Sequence, residues 1–368
     1  MTDERVIKKD ERAIFALRSL YRQYGYAPYK MSRFEEYDLY VRNKDFLVSD
    51  EVITFTDHTG RLLALKPDVT LSIIKNTEDR PGAVQKVYYD ENVFRVAKGT
   101  HSFKEIMQAG LECIGDIGGY EIAEVVLLAV RSLSLLNDHY MLDLSHMGLV
   151  SAMLAESGLS QEGKSLALGF IHQKSGHELK ELCEKEALSA SAAAKLQALI
   201  DCCGAPEKVL SAMEPLLETH DEKAAFADFS ALCAILTRSG YGDGVRVDFS
   251  VGNDMKYYSG VVFKGYLEGV PAGVLSGGQY DKLLQKMGRK SGAIGFAVYL
   301  DLLERLEKSE EDYDVDTLLL HNGTADPAAL VAAADALAKE GSVLVVSAPR
   351  SDLKYRRLVQ FEERGKAE

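Results

Sequence analysis

No apolar run in this chain reaches the about 20 residues that a helical bilayer span needs. The longest, such as IAEVVLLAVRSL (Ile122–Leu133), are broken by charge. The opening residues, MTDERVIKKDERA, are charged throughout and hold no apolar stretch, so no secretory signal is read there and a cytoplasmic chain away from membranes is expected. The five cysteines (Cys113, Cys183, Cys202, Cys203 and Cys233) form no CxxC pair. An odd number without framework spacing argues against a disulfide scaffold and for reduced thiols. A basic surplus is also missing: 43 basic residues stand against 56 acidic ones, a formal charge of −13. That balance disfavours long nucleic-acid binding, although it leaves room for a local groove. Tryptophan is absent, GxGxxG, Walker A and HExxH do not occur, and the eight histidines show no ligand spacing. Neither a metal nor a cofactor is expected.

What is present suits a globular protein: 368 residues, 46% hydrophobic and 27% charged, long enough for about two to three domains. Residues 5–24 read as an amphipathic helix with Ile7, Ile14, Leu17, Leu20 and Tyr21 on one side. It leads through GYAPYKMSRFEEYDLY into an extended segment. Phe46 to Leu65 suggests a hairpin turning at TDHTGR (Thr56–Arg61). Strands follow at Lys86–Arg95 and Glu105–Ile114, then a helix over Tyr120–Asn137 and a strand in HYMLDLSHM. Over residues 148–240 strand signals vanish and alanine and leucine dominate, which predicts an all-helical insertion. Strands resume over Gly244–Tyr266 and around Pro271–Leu275, and GAIGFAVYLDLLERL runs into a helix. Beyond the acidic linker EKSEEDYD (Glu307–Asp314), VDTLLLHNG, DPAALVAAADALAKEG and SVLVVSAP form a strand–helix–strand tail that is short for an independent core.

Three blocks put polar residues on predicted strands. In LALKPDVTLSI (Leu63–Ile73), Asp68 stands where a strand meets a helix, and pattern alone reads it as a helix N-cap. In YYDENVFRVAKGTHSFKEIMQAGLECIG (Tyr88–Gly115), Arg95 ends one strand, and a period of two places Gln108, Gly110 and Glu112 on one face of the next. A glycine between an amide and a carboxylate would leave an open space there. The segment reads equally as pocket or as solvated edge strand, although Ile106, Met107 and Leu111 imply that it is largely packed. In the third block a strand over Val245–Val251 precedes GNDMKYYSGVVF, where strand alternation would point Tyr257 and Tyr258 to opposite faces. Its polar side is Asn253, Asp254 and Lys256, with no arginine. The block continues in SGGQYDKLLQKMG (Ser276–Gly288), where a Gly-Gly pair entering a helix could cradle an anion, a weak signal by itself. His172 and His177 read as surface residues, and Cys202-Cys203 as partly buried packing.

Taken in order, KPDVT, YYDENVFR, FKEIMQAGLECIG, MKYYSGVVF, SGGQYDKL and AIGFAVYLDLL resemble the class II aminoacyl-tRNA synthetase core, and specifically histidyl-tRNA synthetase. The likeness spans roughly residues 5–310. It implies an α+β fold: an antiparallel sheet flanked by helices in a histidine-binding core over 1–310, with the helical insertion at about 148–240. The tail, 313–368, resembles a shortened piece of an anticodon-binding domain. By the same resemblance, Asp68 and Gln108 would meet the α-ammonium of free histidine, Glu112 and Tyr258 would meet its imidazole, and Arg95 and Tyr257 belong to the same site.

The chain also departs from the synthetase pattern. Asn253 stands where synthetases carry an arginine, Asp301-Leu302 where they carry Glu-Arg, Ala97 where a glutamate meets adenine, and Ser32 where a proline is usual. The loop onward to Gln108 offers only Lys98 and Lys104. Each lost donor to a transferring phosphoryl group typically lowers a rate by roughly 10²–10³, so no histidine activation, no tRNA and no catalytic residue are expected. Aspartate in KPDVT and the strand LDLSHMGLV resemble the paralogous family of regulatory subunits of short-form ATP phosphoribosyltransferase, which acts first in histidine biosynthesis. That resemblance implies a non-catalytic chain that partners a short catalytic subunit, responds to L-histidine, and forms a homodimer within a hetero-octamer. The alternatives are a working histidyl-tRNA synthetase and a stand-alone synthetase-derived histidine sensor.

Overall fold

Ala13, Leu17, Leu20 and Tyr21 recur at helical spacing and form the buried stripe of α1 (Lys9–Gln23). Acids in its first turn, Asp10 and Glu11, and Arg22 in its last complement the helix dipole. The computed structural model describes residues 7, 9–44, 47, 52–80, 82–96, 102–252, 257–305 and 313–361. These fall into two units, Met1–Leu306 and Glu307–Glu368.

In the first unit, α1 leads to the short β1 (Ala27–Pro28), β2 (Phe34–Glu36) and α2 (Tyr37–Arg42). The hairpin expected around TDHTGR is present as β3 (Thr54–Thr56) and β4 (Leu62–Leu65), with Asp57 accepting from the Thr59 and Arg61 amides at 2.8 and 2.9 Å to close its turn. Then come α3 (Thr70–Asn76), the long strands β5 (Val84–Val96) and β6 (Phe103–Gly115), α4 (Gly119–Leu136) and β7 (Tyr140–His146). The helical block comprises α5 (Met147–Ala155), α6 (Gln161–Gln173), α7 (Gly176–Lys185), α8 (Ala190–Asp201), the two-residue β8 (Cys203–Gly204), α9 (Pro206–Met213) and α10 (His220–Arg238). The unit continues through β9 (Val245–Asp248), β10 (Val261–Leu267), β11 (Leu275–Gln279), α11 (Asp281–Lys286) and β12 (Gly292–Tyr299) to a 3₁₀ turn at Leu300–Arg305.

Among the described residues the main sheet has nine strands in the order β1-β5-β6-β12-β11-β10-β7-β9-β8, antiparallel except for the β1–β5 and β7–β9 pairs. Its two faces differ. Ala109, Leu111 and Cys113 of β6 join Leu17 and Leu20 of α1 and Val125, Leu128 and Ala129 of α4 in the main apolar cluster. The alternate residues, Gln108, Gly110 and Glu112, face the other way, as the period of two predicts. On that side a second cluster gathers Tyr40, Val69, Leu71, Ile74, Tyr89 and Tyr280.

Three expectations are corrected. Strand β9 ends at Asp248 rather than Val251, because Asp248 Oδ1 captures the amide and hydroxyl of Ser250 at 3.0 and 2.6 Å and turns the chain. The glycine pair Gly277-Gly278 does not enter a helix; it lies inside β11, which starts at Leu275, and both residues are registered with β10 and β12. Residues 148–240 are not wholly helical, since Cys203 pairs with Asp248 across β8 and β9. The block shares its core with the rest of the unit: Leu149, Met153, Ile171, Leu196 and Phe229 belong to the cluster that underlies the sheet.

The second unit is a three-stranded parallel sheet, β14-β13-β15, built from β13 (Val315–Leu320), β14 (Val343–Val346) and β15 (Tyr355–Gln360), with α12 (Pro327–Ala338) between the first two strands. Asp326 caps α12 by accepting from the Ala329 amide at 3.1 Å, and Pro327 sits at the first turn where its missing N–H is harmless. Strand β15 was not anticipated, because YRRLVQ shows no apolar alternation.

In the helical block, Glu222 is fully buried and accepts from Lys195 Nζ at 3.0 and 3.1 Å and from the amides of Glu218 and Thr219 at 2.7 and 3.0 Å. Lys195→Ala would leave this carboxylate without its buried cation. We expect a loss of about 3 kcal/mol in urea-induced unfolding. A change below about 0.5 kcal/mol would show that the two amides suffice.

Candidate functional site

Register alone produces a hollow on the polar face of the main sheet. Glu112 of β6 lies opposite Gly295 of β12, which lies opposite Gly278 of β11. In the next row Gly110 faces Ala297, which faces Ser276. Glycines in the middle of three adjacent strands let Tyr89, Tyr258 and Glu112 lie close over the sheet, and the hollow stands among these side chains. The resulting cavity of about 400 Å³ falls within the range of small-molecule sites. All six predicted site residues, Asp68, Arg95, Gln108, Glu112, Tyr257 and Tyr258, line it.

Glu112 is 2% exposed, and both of its oxygens are engaged. Oε1 accepts from Thr70 Oγ1 at 2.7 Å, and Oε2 accepts from the Tyr280 hydroxyl. Gly295 permits this placement, for a Cβ there would lie 1.7 Å from Glu112 Oε2. Burial pushes the Glu112 carboxyl up to about 8; the Tyr280 and Thr70 bonds oppose that rise, and the charge of Asp68 adds to it. Burial likewise holds Tyr89, Tyr257 and Tyr280 well above the usual phenol range, so all three present O–H donors at neutral pH.

The N-cap reading of Asp68 is corrected by one position, since Val69 occupies the N-cap of α3 and Asp68 precedes it. Asp68 Oδ1 accepts from the Leu71 amide at 3.0 Å at the start of α3, and the side chain also lines the cavity. Burial raises its pKa, while the Leu71 amide and the charge of Arg95 oppose the rise. Arg95 donates from Nε to the Pro67 carbonyl at 3.1 Å, tying the end of β5 to the loop that carries Asp68.

Two further expectations about the site are corrected. Tyr257 and Tyr258 do not alternate across a strand; they lie in the turn before β10, line the same cavity, and pack edge to face with centroids 4.7 Å apart. Off the ladder the two-residue period no longer applies. The turn is held by Ser259, whose amide donates to Gln279 O at 2.8 Å and whose hydroxyl donates to Asp281 Oδ2 at 3.1 Å. The space over Gly110 is not open either, since a Cβ there would meet the Tyr89 hydroxyl at 2.6 Å and the Phe296 carbonyl at 2.2 Å.

Sequence reasoning missed Thr70, Tyr89, Ser276, Tyr280 and Tyr299, which also line the cavity. Tyr280 sits in the quoted block SGGQYDKL, but nothing local shows that its hydroxyl meets a carboxylate 168 positions away. Leu302 lies half-buried in the 3₁₀ turn, while Ala97, Lys98, Asn253, Asp254 and Lys256 lie outside the described residues. His172 and His177 are exposed, and His172 Nδ1 lies 2.7 Å from Ser250 O. All five cysteines are free. Among the described residues no group of His, Cys, Asp and Glu could hold a metal ion, and no helix is long and apolar enough to cross a membrane.

The model of the histidyl-tRNA synthetase family matches residues 3–303. Over 277 residues the chain is 30% identical to the ATP phosphoribosyltransferase regulatory subunit of Geobacillus sp. (strain WCH70), covering 73% of this chain and 70% of that one. The chain belongs to the ATP phosphoribosyltransferase regulatory subunits of the histidyl-tRNA synthetase family. The regulatory subunit of Alkaliphilus metalliredigens is 26% identical and matches over 88% of this chain and 84% of its own length. Among solved structures, an ATP phosphoribosyltransferase regulatory subunit/histidyl-tRNA synthetase from Bacillus halodurans superposes with a TM-score of 0.73 at 24% identity, covering 96% of this chain and 93% of that one. A chain of the ATP phosphoribosyl transferase HisG:HisZ complex from Thermotoga maritima gives 0.63 at 19% identity, over 78% and 96%. At these identities the superpositions establish the shared fold, a class II synthetase-like sheet flanked by helices.

The raised Glu112 carboxyl predicts a pH signature in this regulatory-subunit fold. Between the ordinary value of 4.5 and about 8, the unfolded chain has released this proton and the folded chain retains it. Stability therefore falls as pH rises through that window and levels off above it, by up to about 1.4 kcal/mol per pH unit from this group. Glu112→Gln should flatten the melting-temperature profile of the ligand-free protein between pH 5 and 8, read by differential scanning fluorimetry. Parallel profiles for the two proteins would remove Glu112 as the source.

Proposed function

We propose that this chain is a non-catalytic regulatory subunit which joins the short catalytic subunit of ATP phosphoribosyltransferase, activates it, and conveys feedback by free L-histidine bound in the sheet cavity. The observation that carries the reading is a cavity lined by one acid, one arginine, one amide and one buried carboxylate, in a chain of the regulatory-subunit family. A free amino acid needs an anion for its ammonium and a cation for its carboxylate, and Asp68 and Arg95 supply both on the same wall. Gln108 adds an acceptor for the ammonium. Glu112 and Tyr258 meet the imidazole nitrogens, and the rings of Tyr257 and Tyr258 cover its faces. The assembly follows the family likeness, a homodimer within a hetero-octamer.

The absence of chemistry in this chain is part of the same proposal. Asn253, Leu302 and Ala97 are neutral where a synthetase needs charge to hold ATP and to offset the charge that develops on phosphate. Such a pocket acts on something else only if histidine binds two states of an assembly unequally. Couplings of about 1–3 kcal/mol are typical.

Mixed with a short-form catalytic subunit, the protein should raise the rate of phosphoribosyl transfer to ATP, and L-histidine should suppress that gain. A catalytic subunit that is fully active alone and indifferent to this chain would overturn the regulatory reading. Glu112→Ala should weaken L-histidine binding by roughly 10- to 150-fold in calorimetry, the loss of one charge-assisted bond; an unchanged affinity would remove Glu112 from the ligand's contacts. In pyrophosphate exchange with histidine and ATP the protein should give only the enzyme-free background, and clear exchange would restore a synthetase.

A further inference from the structure

We propose that Tyr280 is a positioning residue that shifts Glu112 toward its accepting, ionised form, so that the cavity selects its ligand by a ring N–H. The proposal rests on the histidine reading above and deepens it. A carboxylate that must accept from a ligand inside a protein needs its other lone pairs satisfied, or it takes up a proton and turns into a donor. Glu112 meets this demand from two sides: Thr70 donates from the first turn of α3, and Tyr280 donates from the corner between β11 and α11.

Tyr280 is itself anchored. It is 2% exposed, its amide donates to Ala293 O at 2.8 Å, and its ring lies 5.8 Å from that of Tyr257. The next residue, Asp281, accepts from the Ala293 amide at 2.9 Å, from Gln279 Nε2 at 2.6 Å and from the Ser259 hydroxyl at 3.1 Å. One corner of the chain therefore holds both Glu112 and the turn that carries Tyr257 and Tyr258. The titratable groups that act on Glu112 are Asp68 before α3, Tyr89 on β5, Tyr257 and Tyr280. Arg95, the cation of the same cavity, acts on Asp68, so the two hydroxyl donors are what favour the ionised form of Glu112.

The test is calorimetry on the full chain between pH 7 and 8.5, with L-histidine and with 2-thiazolylalanine, whose ring has an acceptor nitrogen but no N–H. Tyr280→Phe should weaken histidine binding at pH 7 by about 10-fold, the worth of a bond to a charged group. It should leave the thiazole analogue nearly unchanged. Wild-type affinity for histidine should rise with pH and level off near 8, whereas the variant's should still be rising at 8.5, because a donor that favours ionised Glu112 is gone. In a Glu112→Gln background the same change should cost less than about 3-fold. Additive losses, or pH curves of the same shape, would overturn the proposal and leave Tyr280 a packing residue. A wild-type chain that binds no histidine, alone or with its catalytic partner, would overturn the ligand reading itself.

Discussion

A carboxyl group with 2% of its surface exposed is tolerated in a protein only where hydrogen-bond partners meet it, and Glu112 is placed by that requirement. The Thr70 and Tyr280 hydroxyls donate to it, and Gly295 leaves the room it needs. The start of α3 must lie against β6 for the Thr70 hydroxyl to reach. The β11–α11 corner must turn inward to bring the Tyr280 phenol over the sheet. Strand β12 must present no side chain opposite Glu112, because any Cβ at position 295 would occupy the space of its oxygen. The pocket walls follow from these demands, since Asp68 lies two residues before Thr70, which opens α3, and Tyr257 packs on Tyr280.

The sheet suits this task because its faces are independent. One face is packed by α1, α4 and the helical block into a single apolar cluster, which holds the strands in register. The other carries a second apolar cluster beside the cavity, and its polar groups stand at spacings that the strands set. A residue shifted by one position would exchange the faces, moving Glu112 into the apolar cluster and Leu111 into the cavity. The long β5–β6 pair therefore serves as both scaffold and recognition surface.

Kinship and geometry contribute different parts of the functional conclusion. The match to regulatory subunits places the chain in its family, while the proposed ligand rests on the polar groups that line the cavity. The polar groups in the cavity suit an amino acid with a hydrogen-bonding ring, and they are fixed by elements from distant parts of the first unit. Glu112 itself is tied to the start of α3 and to the β11–α11 corner through the Thr70 and Tyr280 hydroxyls.

Composition and periodicity determined much of this protein. The alternation in FKEIMQAGLECIG sets which residues of β6 share a face whatever the rest of the chain does, and the TDHTGR turn, the stripe of α1 and most of the helical block follow from local pattern in the same way. The ordered motifs in the sequence also sufficed to name Asp68, Arg95, Gln108, Glu112, Tyr257 and Tyr258 as neighbours in one place. Local pattern failed where a side chain ended a ladder, as Asp248 does, and where the chain left the ladder, as at Tyr257 and Tyr258. Only the tertiary structure decided that Tyr89 fills the space over Gly110, that Gly277-Gly278 lie within a strand, and that Thr70 and Tyr280 close on Glu112. The reason is physical: periodicity fixes the direction of a side chain from its own backbone, whereas a hydrogen bond between residues 168 positions apart depends on how strands from distant parts of the chain are ordered in the sheet.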